Sequence, residues 1–523
     1  VAYTDKGTGG APHDLQNDTV ARIDGTRGAA SAIGTAAHFR ANLSDAARTA
    51  FNTATPDRFA FKHAHSQRNP EKDWGTFTLK AVELALWVLN ERYSPLLANG
   101  LRQATIRPDN TLVIASSVSN GGGAAIAAAE LDRAGLIDGV AVAEPAIEMP
   151  ASPGISVRRG SASPLTYGKT LVDFTSYANV FQSCASLSAA LTGAPYAANY
   201  AAFFGALAAN RCASLKTAGL ITGSTTAELA DAALAKLLDY GWEAESIPLH
   251  ASHAAFEVAP AVTVTFANAL ARASVADNLC GYSFGATTTA GVPQPLAAVP
   301  PNTLPAMAAT GNGVPPANNV QLINNLSVGA PLRDLFSFSP STVKQDMNLD
   351  GALCLRNLIS GTSTAAKALQ AGVDETRRNG KLGGKPTVIV HGRSDALLPV
   401  NHTSRPYTAL SKVVEGSASQ LSYIEVTNAQ HFDGFIPLTS VLPGYDSRYI
   451  PLHLYLNRAL DAVWAKLKNG TALPPSQVLR TTPRGGAAGS APALTAANVP
   501  AIAASPLAAD AITMSGTTLV VPD

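Results

Sequence analysis

A serine, an aspartate and a histidine, far apart in the chain, stand where they could build an acyl-transfer site. Ser119 lies in "LVIASSVSNGGGAAIAAAELDRAG" (112–135), which begins as a buried strand and ends as a helix. A nucleophilic serine at such a turn is held in a strained conformation, and the residues two before and two after it are pressed together. Both must be small, so glycine usually fills them. Here Ser117 and Gly121 take those places, and Gly122, Gly123, Ala124 and Ala125 open the helix, small enough to let it lie close on a sheet. A phosphate loop would need G-x-x-x-x-G-K-[ST] and a dinucleotide turn G-x-G-x-x-G, and this stretch carries neither. The remaining alternative is a strand–turn–helix without chemistry.

A serine hydroxyl is a weak nucleophile until a base takes its proton and an acid orients the base. In α/β-hydrolases the chain order is Ser, then Asp or Glu, then His, with the last two in loops after later strands. "TVIVHGRSDALLPV" (387–400) puts Asp395 just past one apolar run, and "SYIEVTNAQHFDGF" (422–435) puts His431 just past the next. Glu144 is a rival acid and His391 a rival base, whereas Asp433 is expected to face solvent. The backbone N–H of Asn120, directly after the nucleophile at the helix start, is the expected oxyanion donor. A second donor is expected either ahead of Val1 or in the turn near Thr8, Gly9 and Gly10. His63 and His65 in "FKHAHSQRNPEKDWG" (61–75) would share a face on a strand, but with no third ligand they read as part of a polar loop before the next helix. No metal and no cofactor are expected.

These residues need elements to position them. "TLVIASS" (111–117), "GVAVAEP" (139–145), "TVIVHG" (387–392) and "SYIEVTN" (422–428) are short apolar runs rich in β-branched residues, as in a parallel sheet buried on both faces. "TFTLKAVELALWVLNERY" (76–93) has Leu79, Val82, Leu86 and Leu89 at helical spacing. "VAYTDKG" at the start reads as a strand running into a turn. "TAELADAALAKLLDYGW" (226–242) is helical, and 285–319 reads as a Pro/Gly/Ala-rich loop. The segment from about 150 to 380 lacks strand–helix alternation. Beyond about 470 the chain is rich in Pro, Ala and Gly, as a surface strap or a partly disordered tail would be.

A chain of 523 residues is too long for one small core, so an insertion or a second domain is expected. Charged residues make up 14%, below the typical roughly 25%, and the net charge is +1, which offers nothing to a nucleic acid. No charged residue occurs from Phe174 to Asn210 or from Asn278 to Leu332. Both stretches are Ala-rich and polar throughout, so they suit an uncharged substrate surface better than a membrane span. Four cysteines fit no zinc spacing; proximity in sequence favours Cys184–Cys212 and Cys280–Cys354, with four buried thiols as the alternative. The chain begins at Val1 with no signal peptide in view, so processing or removal of upstream sequence is expected. The cysteines lean towards a secreted or periplasmic location, with the cytoplasm as the alternative.

"SSVSNGGG", "KPTVIVHGRSDALLPV", "AQHFDGF" and "LPPSQVLRTTPRGG" together resemble the D-(−)-3-hydroxybutyrate oligomer hydrolases, as do "VAYTDKGTGG" and "FKHAHSQRNPEKDWG". The resemblance runs over nearly the whole chain. It implies an α/β-hydrolase fold, mainly a parallel sheet, with a large mostly helical cap. It also implies Ser119 as nucleophile with Asp395 and His431, acting on a small ester substrate without nucleic acid or membrane. Sequence ahead of Val1 is expected to hold early strands and one oxyanion donor. The distantly similar tannase and feruloyl esterase group carries cysteines where this chain has Val118 and Phe432. The expected division is a catalytic part, 1–150 with 381–470, a cap over 151–380 and a tail over 471–523. A tannase-like esterase and an inactive binding protein on the same fold are the competing readings.

Overall fold

The apolar runs of the sequence come together as one parallel sheet. The computed structural model describes residues 1–6, 11–22, 24–298 and 320–523. Its strands lie in the order Gln477–Leu479, Leu421–Val426, Thr387–Gly392, Gly139–Ala143, Ile114–Val118, each parallel to its neighbours. Successive residues of a strand point to opposite faces. Val140 and Val142 join one core with Ile126, Tyr407 and Leu410, from the helices Ser119–Leu131 and Ser404–Glu415. Ala141 and Ala143 join the other with Tyr455, Ala459 and Val463 of the helix His453–Asn469. Burial on both faces is why these strands read as unbroken apolar runs rather than as alternation.

The helix expected over 76–93 starts earlier, at Pro70, and ends at Tyr93. Proline suits the first turn, where its missing N–H would have no partner anyway. The helix lies so close to the one that Ser119 opens that a Cβ added at Gly75 would stand 2.8 Å from the Cβ of Ala127.

A second, mostly helical layer contains Leu171–Ala185, Ala197–Thr217, Thr226–Tyr240, Val258–Ala271, Leu349–Asn357 and Thr364–Asp374. Its core includes Phe181, Leu215, Leu234, Val264 and Leu355. Thr225 starts one of these helices with a capping box, its side chain accepting from Glu228 N while the Glu228 carboxylate accepts from Thr225 N. Both expected disulfides form, Cys184–Cys212 between two helices of this layer and Cys280–Cys354. No single helix among the described residues is long and apolar enough to cross a membrane; one pair, Ala244–Ala255 and Val258–Ala271, passes by length and composition only when joined across a 73° bend.

Three expectations need correction, and residues 13–60 carried none. The stretch from 285 is not loop throughout: Tyr282–Thr287 is a strand paired with Gln321–Asn324 and Pro293–Gln294, while 299–319 lie outside the described residues. Residues 13–60 do not join the parallel sheet. Their short strands His13–Asp14, Thr19–Ala21, Arg27–Ala29 and Phe59–Ala60 pair antiparallel instead, and Phe59 sits opposite Phe284. The first six residues form no strand. The tail is neither loose nor merely a strap. Gln477–Leu479 extends the parallel sheet, and Thr518–Val521 pairs with Thr513–Ser515 and with Ser156–Arg159.

Candidate active site

The strand Ile114–Val118 ends and the helix Ser119–Leu131 begins with no residue between them. Ser119 takes a φ of 54°, a left-handed conformation that a non-glycine residue adopts at a cost. The tightness foreseen for this turn is present: a Cβ at Gly121 would fall 2.2 Å from Ser117 Oγ. The serine is half-buried.

His431 and Asp395 meet it there. His431 Nε2 lies 3.0 Å from Ser119 Oγ, and His431 Nδ1 lies 2.8 Å from Asp395 Oδ2. Both partners follow adjacent parallel strands, Leu421–Val426 and Thr387–Gly392, so their loops emerge at the same edge of the sheet as the serine. The ends of parallel strands are where an α/β sheet gathers its functional groups.

Asp395 is buried and accepts four hydrogen bonds. Oδ1 takes the backbone N–H groups of Leu397 at 2.8 Å and Leu398 at 2.7 Å, and Oδ2 takes His431 and His391 Nε2, the latter at 3.1 Å. Burial alone would raise this carboxyl. The charge interaction with His431 and the bonds from His391 and His431 outweigh it and hold Asp395 well below the usual carboxylate range. An ionised Asp395 accepts a hydrogen bond from the Nδ1–H of His431, and in that tautomer the Nε2 lone pair faces the serine hydroxyl.

The rivals take other places. His391, weighed as a base, is fully buried and bonded to Asp395 and to Ser404 Oγ at 2.7 Å, so it cannot reach the serine. Asp433 does not simply face solvent: its carboxylate accepts from the backbone N–H groups of Leu452 and His453 and starts the helix His453–Asn469. Glu144 stands at the end of the strand Gly139–Ala143, between the strands that lead to Ser119 and Asp395.

Asn120 N–H lies in the first turn of its helix, where backbone donors have no partner within the helix. Thr8, Gly9 and Gly10, considered for the second oxyanion donor, lie outside the described residues. The segment just before them runs beside the serine turn: Val1, Ala2, Tyr3 and Thr4 line a groove with Trp74 and Gly121, and Trp74 Nε1 donates to Thr4 Oγ1 at 3.1 Å.

His63 and His65 are not in a polar loop. They lie in the short helix Lys62–His65, both buried. His63 Nε2 lies 2.7 Å from Glu71 Oε1, which also pairs with Lys6, and His65 Nδ1 accepts from Phe61 N–H. Burial raises the Glu71 carboxyl, but the charge of Lys6 and its bond from His63 bring it down to about 2.

Sequence reasoning missed His253. It belongs to the helix His250–Ala255, packs its ring 5.5 Å from Phe432, and has its pKa pushed down to about 4, chiefly by burial. From His431 an aromatic file leads into the helical layer: Phe432 at 5.0 Å, Phe435 at 4.6 Å from Phe432, and Phe256 at 5.7 Å from Phe435. "HASHAAF" carried no signal for this, because its place beside "AQHFDGF" depends on how the two layers meet.

The Ser–His–Asp series is hydrogen-bonded at the ends of parallel strands, with the serine at a strained strand–helix turn, an arrangement in which a base can activate a hydroxyl. The comparisons with known proteins specify it further. The model of the 3HB-oligomer hydrolase family matches residues 1–523, and the chain belongs to that family. A D-(−)-3-hydroxybutyrate oligomer hydrolase of Paracidovorax citrulli is 62% identical over 527 residues, covering 100% of this chain and 74% of the relative. Relatives with the same name from Cupriavidus necator and Ralstonia pickettii are 58% and 57% identical, covering 100% and 98% of this chain and 72% and 69% of their own lengths. No solved structure matches the chain.

Proposed function

We propose that this protein is a serine esterase of the α/β-hydrolase fold that cleaves short 3-hydroxybutyrate oligomers through an acyl-enzyme. The observation that carries the proposal is the unbroken relay from Ser119 Oγ to His431 to Asp395, with contacts of 3.0 and 2.8 Å. His431 Nε2 takes the hydroxyl proton as Ser119 Oγ attacks the ester carbonyl. Asp395 holds the imidazole in the required tautomer and stabilises its charged form. His431 then gives the proton to the departing hydroxyl, and water, activated by the same imidazole, releases the acyl group. Asn120 N–H faces the developing oxyanion, a contact worth about 2.7–4 kcal/mol in comparable sites.

The substrate reading rests on the family and on the surroundings of the site. The aromatic file from Phe432 to Phe256 offers an uncharged wall to an aliphatic ester chain. Val118 and Phe432 stand where the tannase group carries cysteines, which disfavours that alternative. The helical layer serves as a cap over the site, and two disulfides suit a secreted or periplasmic protein.

The test is Ser119→Ala, with release of 3-hydroxybutyrate from its dimer as the readout and an aryl ester for comparison. Turnover should fall at least about a thousandfold, with the thermal transition kept. Wild-type rates in the variant would refute the nucleophile, and a wild-type preference for the aryl ester would refute the substrate.

A further inference from the structure

The mechanism leaves one buried acid next to the relay unused. Glu144 is 6% exposed, and its Oε2 has no hydrogen-bond partner among the described residues. One oxygen of Glu144, one of Asp395 and one ring nitrogen of His431 all lie within 4.8 Å of one another. The backbone is held for this placement: Glu144 takes a φ of 37°, a region that favours glycine, while its N–H donates to Val390 O at 2.8 Å. A bulky residue kept at a strained strand end, with its carboxyl aimed at the site, points to a task for that carboxyl.

Two carboxyls therefore flank one imidazole, in opposite environments. Among the described residues Asp395 has four donors and Glu144 Oε2 has none. Burial, then the charge of Asp395, then that of Asp433, push the Glu144 carboxyl well above its ordinary range, whereas Asp395 is held well below its own. Asp395, His431 and Asp433 are the groups that face it; from the helical layer, His253 faces Asp395 and His431.

We propose that Glu144 is a second acid of this site, a positioning residue held beside His431 that takes over the orientation of the imidazole when the charge of Asp395 is removed. The proposal rests on the acyl-transfer reading above. With Asn at position 395, Glu144 loses its proton to solvent, and its carboxylate accepts the Nδ1–H of His431. Nε2 is then free to take the Ser119 proton as before. Removing the charge of Asp395 also removes one of the causes that raise the Glu144 carboxyl.

The experiment compares Asp395→Asn with the double variant Asp395→Asn/Glu144→Gln, following hydrolysis of the 3-hydroxybutyrate dimer between pH 5.5 and about 9.5. The single variant should keep a residual rate that climbs with pH by up to about tenfold per unit as Glu144 ionises. At the alkaline end it should exceed the double variant by about tenfold or more, and the double variant should lack that rise. A structural role for Glu144 would not produce this profile. Equal residual rates with the same pH dependence in the two variants would overturn the proposal. So would a flat profile in Asp395→Asn alone, a readout that stands even if the double variant does not fold. Adding Ser119→Ala to Asp395→Asn separates the levels. If the residual rate disappears, the acyl-transfer reading holds and the Glu144 comparison decides alone; if it survives, the nucleophile is wrong and both readings fall.

Discussion

Gly121 and Ser117 illustrate how little room the nucleophile turn leaves. A methyl group at position 121 would stand 2.2 Å from Ser117 Oγ and 3.1 Å from Ser117 Cβ, so the Ser117 hydroxyl must rotate away and its Cβ must yield beside the turn that presents Ser119 Oγ to His431. Gly121→Ala should lower kcat/KM on a soluble ester at least about tenfold, since small misplacements of reacting groups are costly. Adding Ser117→Gly removes the obstructing atom and should restore much of the loss. A Gly121→Ala variant as active as the wild type would show that the turn has slack. Ser119, Asp395 and His431 were legible in the sequence because each sits just past an apolar run, where chemistry in such sheets collects. The bond from His391 to Asp395 and the approach of Glu144 to His431 were not legible. Both depend on which strands lie side by side, and no local pattern encodes that order.

Elements repeat this contrast. Four of the five parallel strands overlap the four apolar runs read from the sequence, because burial on both faces leaves a continuous signal. The antiparallel strands were invisible, since pairs such as His13–Asp14 and Phe59–Ala60 are too short for any period to show and exist through partners such as Phe284. One joint between the layers makes a prediction at this scale. Glu148, past the strand Gly139–Ala143, accepts from the backbone N–H of Leu171 at the start of the helix Leu171–Ala185. Burial pushes this carboxyl up to about 7, against the opposing pull of that bond. A carboxyl raised by folding contributes stability that is whole below its unfolded pKa of about 4.3 and is lost as pH rises to about 7, at up to about 1.4 kcal/mol per pH unit. Glu148→Gln keeps an acceptor and cannot ionise, so it should remove this loss. Thermal unfolding of both proteins from pH 4 to about 8 checks it: the wild type should fall behind the variant across that window. Superimposable pH profiles would contradict the assignment.

Across the whole molecule, the two layers are held by different means. Both disulfides lie within 151–380 and bridge helical-layer segments to one another. The layers are joined by the aromatic file from Phe432 to Phe256 and by buried polar contacts. Arg405 bonds to Glu425 of the parallel sheet and to Glu243, and Trp242 Nε1 donates to Ala396 O, beside Asp395, at 2.9 Å. Replacing Cys280 and Cys354 by alanine should therefore cost about 2–4 kcal/mol of unfolding free energy. Ser119 should still react with a fluorophosphonate under native conditions, because the sheet that presents it contains neither cysteine. Loss of labelling along with the bridge would mean that the helical layer shapes the nucleophile directly. The pairing of Ser156–Arg159 with Thr518–Val521 bears on how the protein is made. Ser156 and Thr518 are 362 positions apart, and at ribosomal speeds of about 5–20 residues per second the first waits on the order of half a minute for the second. During that interval the strand Ser156–Arg159 is without this partner, so the ladder it forms closes only after Thr518–Val521 has been synthesised.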